Sequence, residues 1–506
     1  MILSKVNLKN INKDNVNKPS EELFDLPEKI IQFGTGVLLR GLPDYFIHKA
    51  NQEGIFNGRI VVVKSTSQGD SGAFGEQDGL FTQCIRGIED NTIIEENYIN
   101  ASISRVLNAQ HDWESILKCA HDQNIRIIIS NTTEVGIQLV KDNINHNPPI
   151  SFPGKLLAFL FERYKAFNGS NKCGMVIIPT ELIPDNGKKL ESIVLELAHM
   201  NGLSDDFIKW LGESNSFCSS LVDRIVPGKP DEAELKNLTD QLGYEDQLLI
   251  MSEVYRLWAI EGGPKIKEIL SFAKADKGVV IDTNIDIYRE LKLRLLNGSH
   301  TLSSGLAFLS GFDTVKESMD DEGFYSYISN LMLKELAPSI PYDIEQQVSI
   351  DFGTKVLDRF RNPFIKHHWL SITMQYSSKM KMRCIPVLMN HYQKFSSVPS
   401  LFAFGFAAYI YFMKAVNKKD GRYYGDHLGN TYLINDDFAE VFYKRWAELT
   451  VVTLVKEVLT DQAFWGEDLS LLEGFQKSVT DNLSLMMDIG VQEALESVIQ
   501  KKVLSK

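Results

Sequence analysis

The stretch KIIQFGTGVLLRG, residues 29–41, joins a predicted strand to a predicted helix through two closely spaced glycines. KIIQFG (29–34) is a short apolar run typical of a buried strand. Gly34 and Gly36 have the first two spacings of a dinucleotide-binding fingerprint, in which the first glycine permits a tight turn and the second lets the backbone approach a pyrophosphate. The third glycine of that fingerprint is missing, and Leu39 holds its place. The strand–turn–helix context favours a nucleotide-binding loop over a plain structural turn.

The first half of the chain alternates strands and helices. The later predicted strands are GRIVVVKST (58–66), IRIIISNTT (125–133) and GMVIIPTEL (174–182), and helical segments such as WESILKCAHDQN and GKLLAFLFERYKAF lie between them. This alternation predicts a parallel sheet with helices on its faces. After about residue 285 the segments have helical spacing or length, and clear strands are absent. We therefore predict an α/β domain over residues 1–285, followed by an all-α domain over residues 286–506.

Length, charge and cysteine content narrow the class of protein. The 506 residues are too many for one ordinary core, and 44% hydrophobic with 24% charged residues is typical of a globular protein. The net charge of -13 argues against a nucleic acid or an anionic membrane as partner. The five cysteines form no CxxC pair, which argues against a zinc knuckle or a disulfide scaffold. No signal core or membrane-span pattern occurs, so the expected location is the cytoplasm, and the oligomeric state stays open.

The end of the second predicted strand leaves the type of nucleotide open. An NAD site usually carries an acidic residue there, which binds the ribose hydroxyls. Here the strand ends in Lys64, Ser65 and Thr66, and Asp70 follows a little later. Lys64 would tolerate a 2′-phosphate, so the spacing alone does not separate NAD from NADP.

A second informative stretch, LKLRLLNGSHTL (291–302), places three polar residues among leucines. On an α-helix, Lys292, His300 and Asn297 fall within about 140° of one another, so they share one side of the helix. This is not the solvated face of a surface helix, and it predicts a helix that faces a partly apolar pocket. In the structural alternative, Lys292 extends to solvent and His300 is a hydrogen-bonded core residue.

The segment FCSSLVDRIVP (217–227) resembles the signature of the polyol-specific long-chain dehydrogenases, the mannitol dehydrogenase family. KLRLLNGSH is similar to the catalytic Lys-x4-Asn-x2-His pattern of that family, and GTGVLLRG is similar to its cofactor loop. RFRNPFI (359–365) and FWGEDLS (464–470) resemble later landmarks, so the resemblance runs nearly end to end. It implies a Rossmann-type dinucleotide-binding domain followed by a helical substrate-binding and catalytic domain.

Within the family, the chain is most similar to members that interconvert a keto-uronate and an aldonate in hexuronate breakdown. The segments that carry this likeness are IIQFGTGVLLRG, SNTTEVGI (130–137), FPGKL (152–156), TELIPDNG (180–187) and NPFIKHHWLSI (362–372). The resemblance implies NAD-dependent reduction of tagaturonate to altronate and the reverse, without a metal. It also implies that the first loop binds the cofactor through Phe33, Gly34, Thr35, Gly36, Val37, Leu38 and Arg40.

The same resemblance gives a role to each polar residue of the second stretch. Lys292 is the expected general acid in reduction and the general base in oxidation. Asn297 is the expected amide donor to the substrate oxygen, and His300 is the expected second partner of that oxygen or of a neighbouring hydroxyl. A leucine-rich environment suits the role of Lys292, because a permanently charged ammonium is costly there without a partner.

Further residues are candidates for binding the substrate. A uronate carries a carboxylate, which calls for cationic groups, and the segment SSKMKMR offers Lys379 and Arg383 as first choices. The mannitol enzymes have an Asp-Asn pair near residue 181 that helps to polarise the substrate oxygen. Glu181 and Leu182 occupy those positions here, so Asn186 is the candidate for that contact.

The Asp-Arg pair of the signature and the identity of the substrate both stay open. Asp223 and Arg224 either form a structural ion pair or shape the cleft between the domains. Fructuronate, mannitol or a sugar-alcohol phosphate would suit the same helical domain as tagaturonate. A metal-dependent sugar-acid epimerase is another possible class, although the histidines show neither HxH nor HExxH spacing. A non-catalytic nucleotide-binding regulator is the third alternative, and an intact catalytic pattern argues against it.

Overall fold

The chain divides between Ile285 and Asp286 into two units, each described here by itself. The first unit is Met1–Gly87 with Ile93–Ile285, and the second is Asp286–Lys506 with Ile88–Thr92. This computed structural model describes residues 1–65, 72–132 and 136–504. Thr66, Asp70 and residues 133–135 of the SNTTEVGI segment lie outside those ranges. In the part of the chain that is described, none of the helices combines the length and the apolar character needed to cross a bilayer.

The first unit is built on a six-stranded sheet of the order β5-β2-β1-β6-β7-β8, in which every pairing is parallel. This is the doubly wound order of dinucleotide-binding domains, with the reversal of strand order between β1 and β6. Smaller sheets have the orders β10-β3-β4 and β12-β11-β9. The strands are β1 Glu28–Phe33, β2 Arg59–Lys64, β3 Phe81–Glu89, β4 Thr92–Asn100, β5 Ile103–Asn108, β6 Ile127–Ser130, β7 Val176–Pro179, β8 Ser216–Phe217, β9 Ser220–Asp223, β10 Ile250–Glu253, β11 Leu257–Glu261 and β12 Val279–Asp282.

Helices cover both faces of that sheet. Ile31 and Ile128 belong to one core cluster, and their neighbours Ile30 and Ile129 belong to the other, because successive strand residues point to opposite faces. Burial on both sides explains the continuous apolar runs from which these strands were predicted. The helices are α1 Val37–Gly41, α2 Pro43–Gln52, α3 Gly72–Glu76, α4 Trp113–Cys119, α5 Phe152–Ala166, α6 Asn186–Met200, α7 Asp205–Ser214, α8 Glu232–Leu242 and α9 Pro264–Ile269, with 3₁₀ turns at Leu8–Asn10, Glu21–Asp25, Asn171–Cys173 and Ser271–Lys274.

The second unit is mainly helical, and the predicted order of an α/β domain followed by a helical domain is confirmed. Its α-helices are α10 Asp286–Leu291, α11 Gly298–Leu309, α12 Val315–Asp320, α13 Glu322–Asn330, α14 Gln346–Phe360, α15 Trp369–Ile372, α16 Tyr376–Lys379, α17 Ile385–Lys394, α18 Ser400–Phe412, α19 Ala439–Glu448, α20 Val451–Leu459, α21 Gln462–Trp465, α22 Phe475–Ile489 and α23 Val491–Leu504. The 3₁₀ turns are Ala337–Ser339 and Leu469–Leu471.

Three segments of the second unit are π-helical: π1 Lys292–Asn297, π2 Leu331–Leu336 and π3 Met380–Cys384. Segment π1 contacts both π2 and π3. A π-helical turn inserts one residue into an α-helix and occurs often at functional sites. Here two of the three segments carry residues that the sequence analysis predicts for catalysis or substrate binding.

The prediction that the second half lacks strands is wrong. Three antiparallel strands form a meander, with β13 at Ala415–Lys419, β14 at Arg422–His427 and β15 at Asn430–Ile434. The turn between the first two is Asp420-Gly421, and both residues have positive φ angles of 51° and 73°. An Asp-Gly pair with two positive φ angles is the preferred two-residue hairpin turn, so this pair was the signal for the hairpin.

Candidate active site

A cavity of about 510 Å³ in the first unit opens at the end of β1, where the strand order reverses. Ligands of open parallel sheets bind at this position, beyond the carboxyl ends of the strands. The loop after β1 and the loop after β6 both line the cavity, together with the start of α5. The lining residues are Gly34, Thr35, Gly36, Ser65, Asn131, Thr132, Gly136, Gln138, Val140, Ile150, Ser151, Phe152 and Lys155.

The two glycines of the first loop have different environments. Gly34 has a φ angle of 130°, and a Cβ there would lie 2.8 Å from Leu39 Cδ1 and 2.9 Å from the carbonyl oxygen of Asn131. A Cβ on Gly36 would meet nothing within 4 Å, and Gly36 is exposed towards the cavity. Gly34 is therefore required by the fold, whereas Gly36 leaves open space where a ligand would approach.

The other predicted cofactor residues divide between the cavity and the core. Thr35 lines the cavity with the two glycines. Phe33 is fully buried, with its ring centroid 5.3 Å from that of Phe152, which itself lines the cavity. Val37 and Leu38 are partly buried and pack on the sheet core. Direct contact with a cofactor thus stays a prediction for the loop, and these three apolar side chains support it from behind.

Arg40 points into the first unit and away from the role predicted for it. Its guanidinium donates to the carbonyl oxygen of Leu248 and lies over the rings of Phe74 and Phe81, 5.8 and 5.4 Å from their centroids. Burial lowers the pKa of this guanidinium, and Asp246 partly opposes the shift. With 8% of its surface exposed, Arg40 braces the loop from inside, and its predicted contact with the cofactor has no support in this arrangement.

Lys155 is a cavity residue that the sequence analysis missed. It is 3% exposed, and its Nζ donates to the carbonyl oxygen of Ile150 at 2.7 Å. Burial lowers its pKa, and Asp142 opposes that shift. Helix α5 begins at this point with Ser151 as its cap, because Ser151 Oγ accepts from the N–H of Gly154. Apart from the likeness of the FPGKL segment, the sequence does not mark this lysine, because its place at the cavity depends on the fold.

The end of β2 does not decide between NAD and NADP. Lys64 is 7% exposed, so its side chain is largely covered in this structure. Ser65 lines the cavity, and its buried Oγ has no hydrogen-bond partner among the described residues. Thr66 and Asp70, the other residues considered for nucleotide choice, lie outside the described residues.

Asn186 is occupied by hydrogen bonds within the protein. Its Nδ2 donates to the carbonyl oxygens of Pro179, Glu181 and Ser220 at 3.0, 3.0 and 3.1 Å, and its Oδ1 accepts from the N–H of Ser220 at 2.8 Å. Because the amide is 1% exposed and uses both its hydrogens and its oxygen, the structure corrects the prediction that it contacts substrate. It ties the end of β7 to β9. An asparagine side chain gives no sequence signal that distinguishes such bracing from ligand binding.

Arg224 of the signature is a structural residue that fixes the first loop. Its Nη1 donates to the carbonyl oxygen of Gly41 at 2.7 Å, and its Nε donates to that of Glu253 at 2.9 Å. Burial lowers its pKa to about 10. A Cβ on Gly41 would lie 2.8 Å from both methyl groups of Val226, so the valine of the signature leaves no room for a side chain at this glycine of the loop. These contacts to carbonyl oxygens give Arg224 a structural role, and an ion pair with Asp223 stays a prediction.

In the second unit, the predicted catalytic residues lie on one continuous helical path through α10, π1 and α11. Lys292 and Asn297 are the first and last residues of π1, and both are half-buried. The α-helical angles used for prediction do not apply here, because a π-helical turn closes between residues five apart. Lys292 and Asn297 are therefore separated by about one turn, which brings them nearer to one face than an α-helix would.

His300 lies one turn further on and is 8% exposed. Its ring stacks on Phe360, with centroids 4.0 Å apart and an interplanar angle of 11°, and it meets the edges of His367 and Trp369. Burial lowers the pKa of this imidazole well below its usual value, and His367 and then Arg359, Arg383 and Lys379 lower it further. Within the described residues its Nε2 has no hydrogen-bond partner. The structure thus places a neutral imidazole among basic groups.

Lys379 and Arg383, the predicted substrate cations, lie near that imidazole. Lys379 Nζ donates to the carbonyl oxygen of Ile372 at 2.8 Å, and burial, followed by the charge of Arg383, lowers its pKa. Arg383 Nη1 donates to Thr301 Oγ1 at 3.2 Å, and burial lowers the pKa of its guanidinium. Both side chains are partly exposed, so each can meet a ligand.

Two further bases, Arg359 and His367, lie near His300. Arg359 belongs to α14, and His367 precedes α15. Burial lowers the pKa of His367, and His368 and Lys379 lower it further. The charged or titratable groups that shift the pKa of His300 most are bases, and a cluster of bases attracts an anion. Among the described residues, no group of three His, Cys, Asp or Glu side chains is arranged to hold a metal ion.

Comparison with known families matches most of the chain. Residues 28–271 match the mannitol dehydrogenase Rossmann domain, and residues 284–487 match the mannitol dehydrogenase C-terminal domain. The two matched regions correspond to the cavity of the first unit and to the helical path that carries Lys292, Asn297 and His300.

Individual relatives cover nearly the whole chain. The altronate oxidoreductase of Bacillus subtilis (strain 168) is 38% identical over 474 residues, which are 93% of this chain and 95% of that protein. The altronate oxidoreductase of Halalkalibacterium halodurans is 35% identical over 486 residues, 94% of each chain. Pseudomonas fluorescens mannitol 2-dehydrogenase, solved as a ternary complex with NAD and D-mannitol, is 23% identical with a TM-score of 0.65, covering 99% of this chain and 100% of that one. At that identity, the last likeness concerns the fold.

Proposed function

This chain belongs to the mannitol dehydrogenase family, and we propose that it catalyses the NAD-dependent reduction of tagaturonate to altronate and the reverse reaction. As a member of this family it is an oxidoreductase acting on CH–OH groups. The choice of substrate is supported by relatives named altronate oxidoreductase, which match at 35–38% identity.

The observation that carries the substrate proposal is the group of bases around His300. His367, Arg359, Arg383 and Lys379 are, after burial, the groups that lower the pKa of this imidazole most. A cluster of buried and half-buried cations favours an anionic ligand, and a carboxylate suits an arginine and a lysine in particular. A keto-uronate supplies that carboxylate, whereas mannitol or fructose does not.

The cavity of the first unit fits a dinucleotide cofactor. Gly36 leaves space for a close approach, and Ser65, whose buried Oγ has no partner among the described residues, lines the same cavity. Lys155 adds a positive charge at the same cavity, suited to a phosphate. We assign Gly34, Thr35, Gly36 and Lys155 to cofactor binding. NAD(H), when bound, supplies or accepts the hydride at the reacting carbon.

The chain's own residues handle the proton and the developing negative charge. Lys292 donates a proton to the carbonyl oxygen during reduction and takes it back from the hydroxyl during oxidation. Asn297 donates its amide N–H to the same oxygen and stabilises it as it becomes an alkoxide. Neutral His300 accepts or donates one hydrogen bond through its Nε2, which orients the oxygen or the neighbouring hydroxyl.

The test is a substrate panel with purified protein. Consumption of NADH is followed with tagaturonate, fructuronate, tagatose and fructose, and NADPH replaces NADH in a parallel series. The proposal expects the highest kcat/KM for tagaturonate with NADH and weak activity with the neutral ketoses. A preference for fructuronate would assign a different keto-uronate to the same site. Equal rates for tagaturonate and tagatose would contradict recognition of a carboxylate, and equal use of NADPH would contradict the cofactor assignment.

A further inference from the structure

Segment π3 is placed beside a proline. Pro386 follows it at the start of α17 and has no N–H, so it cannot give the carbonyl oxygen of Met382 the donor that an α-helix would supply four residues later. The N–H of Ile385 bonds instead to the carbonyl oxygen of Met380, five residues earlier. This local widening of the helix leaves backbone oxygens of π3 available to donors from elsewhere in the fold.

Arg294 supplies such a donor from the centre of π1. Its Nη1 donates to the carbonyl oxygens of Met382 and Arg383 at 2.6 and 3.1 Å. Its Nε donates to Glu290 Oε2 at 2.9 Å, so one carboxylate holds the guanidinium in place. The residue is 8% exposed and lies two positions after Lys292. One buried side chain therefore links the backbone that carries the proposed proton donor to the backbone that carries Arg383.

Two weaker links connect the same segments. Arg383 Nη1 donates to Thr301 Oγ1 at 3.2 Å, and that hydroxyl donates to the carbonyl oxygen of Asn297 at 2.7 Å. Cys384 Sγ lies 3.7 Å from the carbonyl oxygen of Gly298, within reach of an S–H donor. The cations of π3 are thus positioned relative to the catalytic helix by contacts between main chain and side chain.

We propose that Arg294 is a positioning residue for recognition of the substrate carboxylate. By holding the backbone of π3 against π1, it fixes Arg383, and with it the adjacent Lys379, at the distance from Lys292 and His300 that a keto-uronate requires. Arg294 acts through these protein contacts and not through the substrate. The inference rests on the proposed function, and it adds the residue that determines the preference for an acid over the neutral sugar.

The experiment compares Arg294→Met and Arg294→Lys with the natural enzyme on a matched pair of substrates. Tagaturonate carries the carboxylate, and tagatose is the neutral ketose of the same configuration. Misplacement of a binding group by about 1 Å costs up to roughly a hundredfold, so Arg294→Met should lower the ratio of kcat/KM for tagaturonate to that for tagatose at least tenfold, mainly through KM for tagaturonate. KM for NADH should not change. Arg294→Lys should recover part of the ratio, because an ammonium can donate to the same carbonyls.

The control variant is Arg445→Met. Arg445 is also partly buried in the second unit and is paired with Asp461 at 3.1 Å, but its contacts do not involve π1 or π3. Its removal should leave the tagaturonate-to-tagatose ratio unchanged. An unchanged ratio in folded Arg294→Met and Arg294→Lys would overturn the inference, as would an equal loss on both substrates, which is the signature of general damage. If Arg294→Met does not fold, the inference is tested by Arg294→Lys alone: a lowered tagaturonate-to-tagatose ratio supports it, and an unchanged ratio overturns it. Failure of the proposed function is distinguished by the natural enzyme alone, which would then show no preference for tagaturonate over tagatose.

Discussion

The imidazole of His300 and the ring of Phe360 are stacked, with centroids 4.0 Å apart and planes 11° from parallel. Trp369 lies nearly perpendicular to the same imidazole, and its Nε1–H donates to Ser318 Oγ at 3.1 Å, which fixes that wall of the site. Aromatic packing on a face and an edge holds the imidazole in one orientation. Burial and the surrounding bases keep it neutral. A rigid, neutral hydrogen-bonding group among cations is the arrangement from which the predictions below follow.

Replacing His300 should make the folded state less sensitive to acid. The pKa of His300 is well below 6.5 in the folded protein, so below pH 6.5 the unfolded chain binds a proton that the folded chain does not. Stability is then lost as the pH falls through 6.5, by at most about 1.4 kcal/mol per pH unit, and this loss is absent above that value. His300→Gln should remove this part of the decline. Urea unfolding at a series of pH values between 7 and 5 measures it.

The control for that prediction is His111→Gln, because His111 is exposed in the first unit. Its unfolding curve should follow that of the natural protein across the same pH series. If His300→Gln and the natural protein lose stability in parallel between pH 7 and 5, the imidazole is not held neutral by its surroundings.

Gly36→Val should weaken cofactor binding without damage to the fold. A side chain at this position meets no protein atom within 4 Å, so valine occupies space of the cavity rather than space of the core. We expect the dissociation constant of NADH to rise roughly tenfold or more, equivalent to about 1.4 kcal/mol of binding free energy. Titration calorimetry measures the affinity, and thermal unfolding should show an unchanged Tm. Gly212→Val, on α7 with similar free space, is the matched control. Undiminished NADH affinity in Gly36→Val would remove this loop from the cofactor site.

Lys155→Met should reduce affinity for the phosphates of the cofactor. Methionine keeps the apolar stem in its buried position but removes the charge that lines the cavity. A hydrogen bond to a charged group contributes about 1.5–3 kcal/mol, so the dissociation constant of ADP-ribose, which contains the pyrophosphate, should rise roughly tenfold to a hundredfold. Adenosine, which lacks phosphate, should bind the variant as it binds the natural protein. An equal loss of affinity for both ligands would mean that Lys155 only supports the loop at Ile150.

Neutralising Lys379 or Arg383 should raise KM for the keto-uronate more than KM for NADH. Each side chain is partly exposed beside His300 and offers a cation to the substrate carboxylate. Loss of one charged hydrogen bond predicts an increase in KM of roughly tenfold or more for Lys379→Met and Arg383→Met. Steady-state kinetics with each substrate varied in turn provides both constants. Lys381→Met is the control, because Lys381 is exposed and its Nζ lies over the ring of Phe464. Equal changes in the two KM values would argue against carboxylate binding.

The parts of this fold that follow directly from sequence are those with strong periodicity. The buried strands β1, β2, β6 and β7 were predicted because they are apolar on both faces, and the Gly34–Gly36 turn was predicted because it joins one of them to a helix. The meander β13–β15 was missed because its short strands are largely polar, and its signal was a single Asp-Gly turn. Periodicity is thus informative where burial is complete and weak where a small sheet faces solvent.

The residues of the candidate site also fall into those that a sequence pattern identifies and those that only the fold reveals. The spacing of Lys292, Asn297 and His300 identified the helix, but an α-helical wheel placed them at the wrong angles because π1 adds a residue to the turn. The resemblance assigns Arg40 and Asn186 to ligand binding. The sequence does not show whether such a polar side chain binds a ligand or another part of the protein. Only tertiary contacts show that their hydrogen bonds are used within the protein. Lys155 lies in the FPGKL segment and Arg294 in KLRLLNGSH, but no motif defines either position. The roles of both residues depend on neighbours that are distant in sequence or on a local helical irregularity.

The most direct measurement of the central claim is the pH dependence of kcat for Lys292→Ala with tagaturonate and NADH. The account predicts a variant that folds and binds NADH normally, with kcat lowered roughly a hundredfold or more, as expected for the loss of a general acid-base group. The limb of the pH profile that belongs to that group should disappear, and added small amines should restore part of the rate. A Lys292→Ala enzyme that keeps a near-normal kcat and an unchanged pH profile would contradict the account.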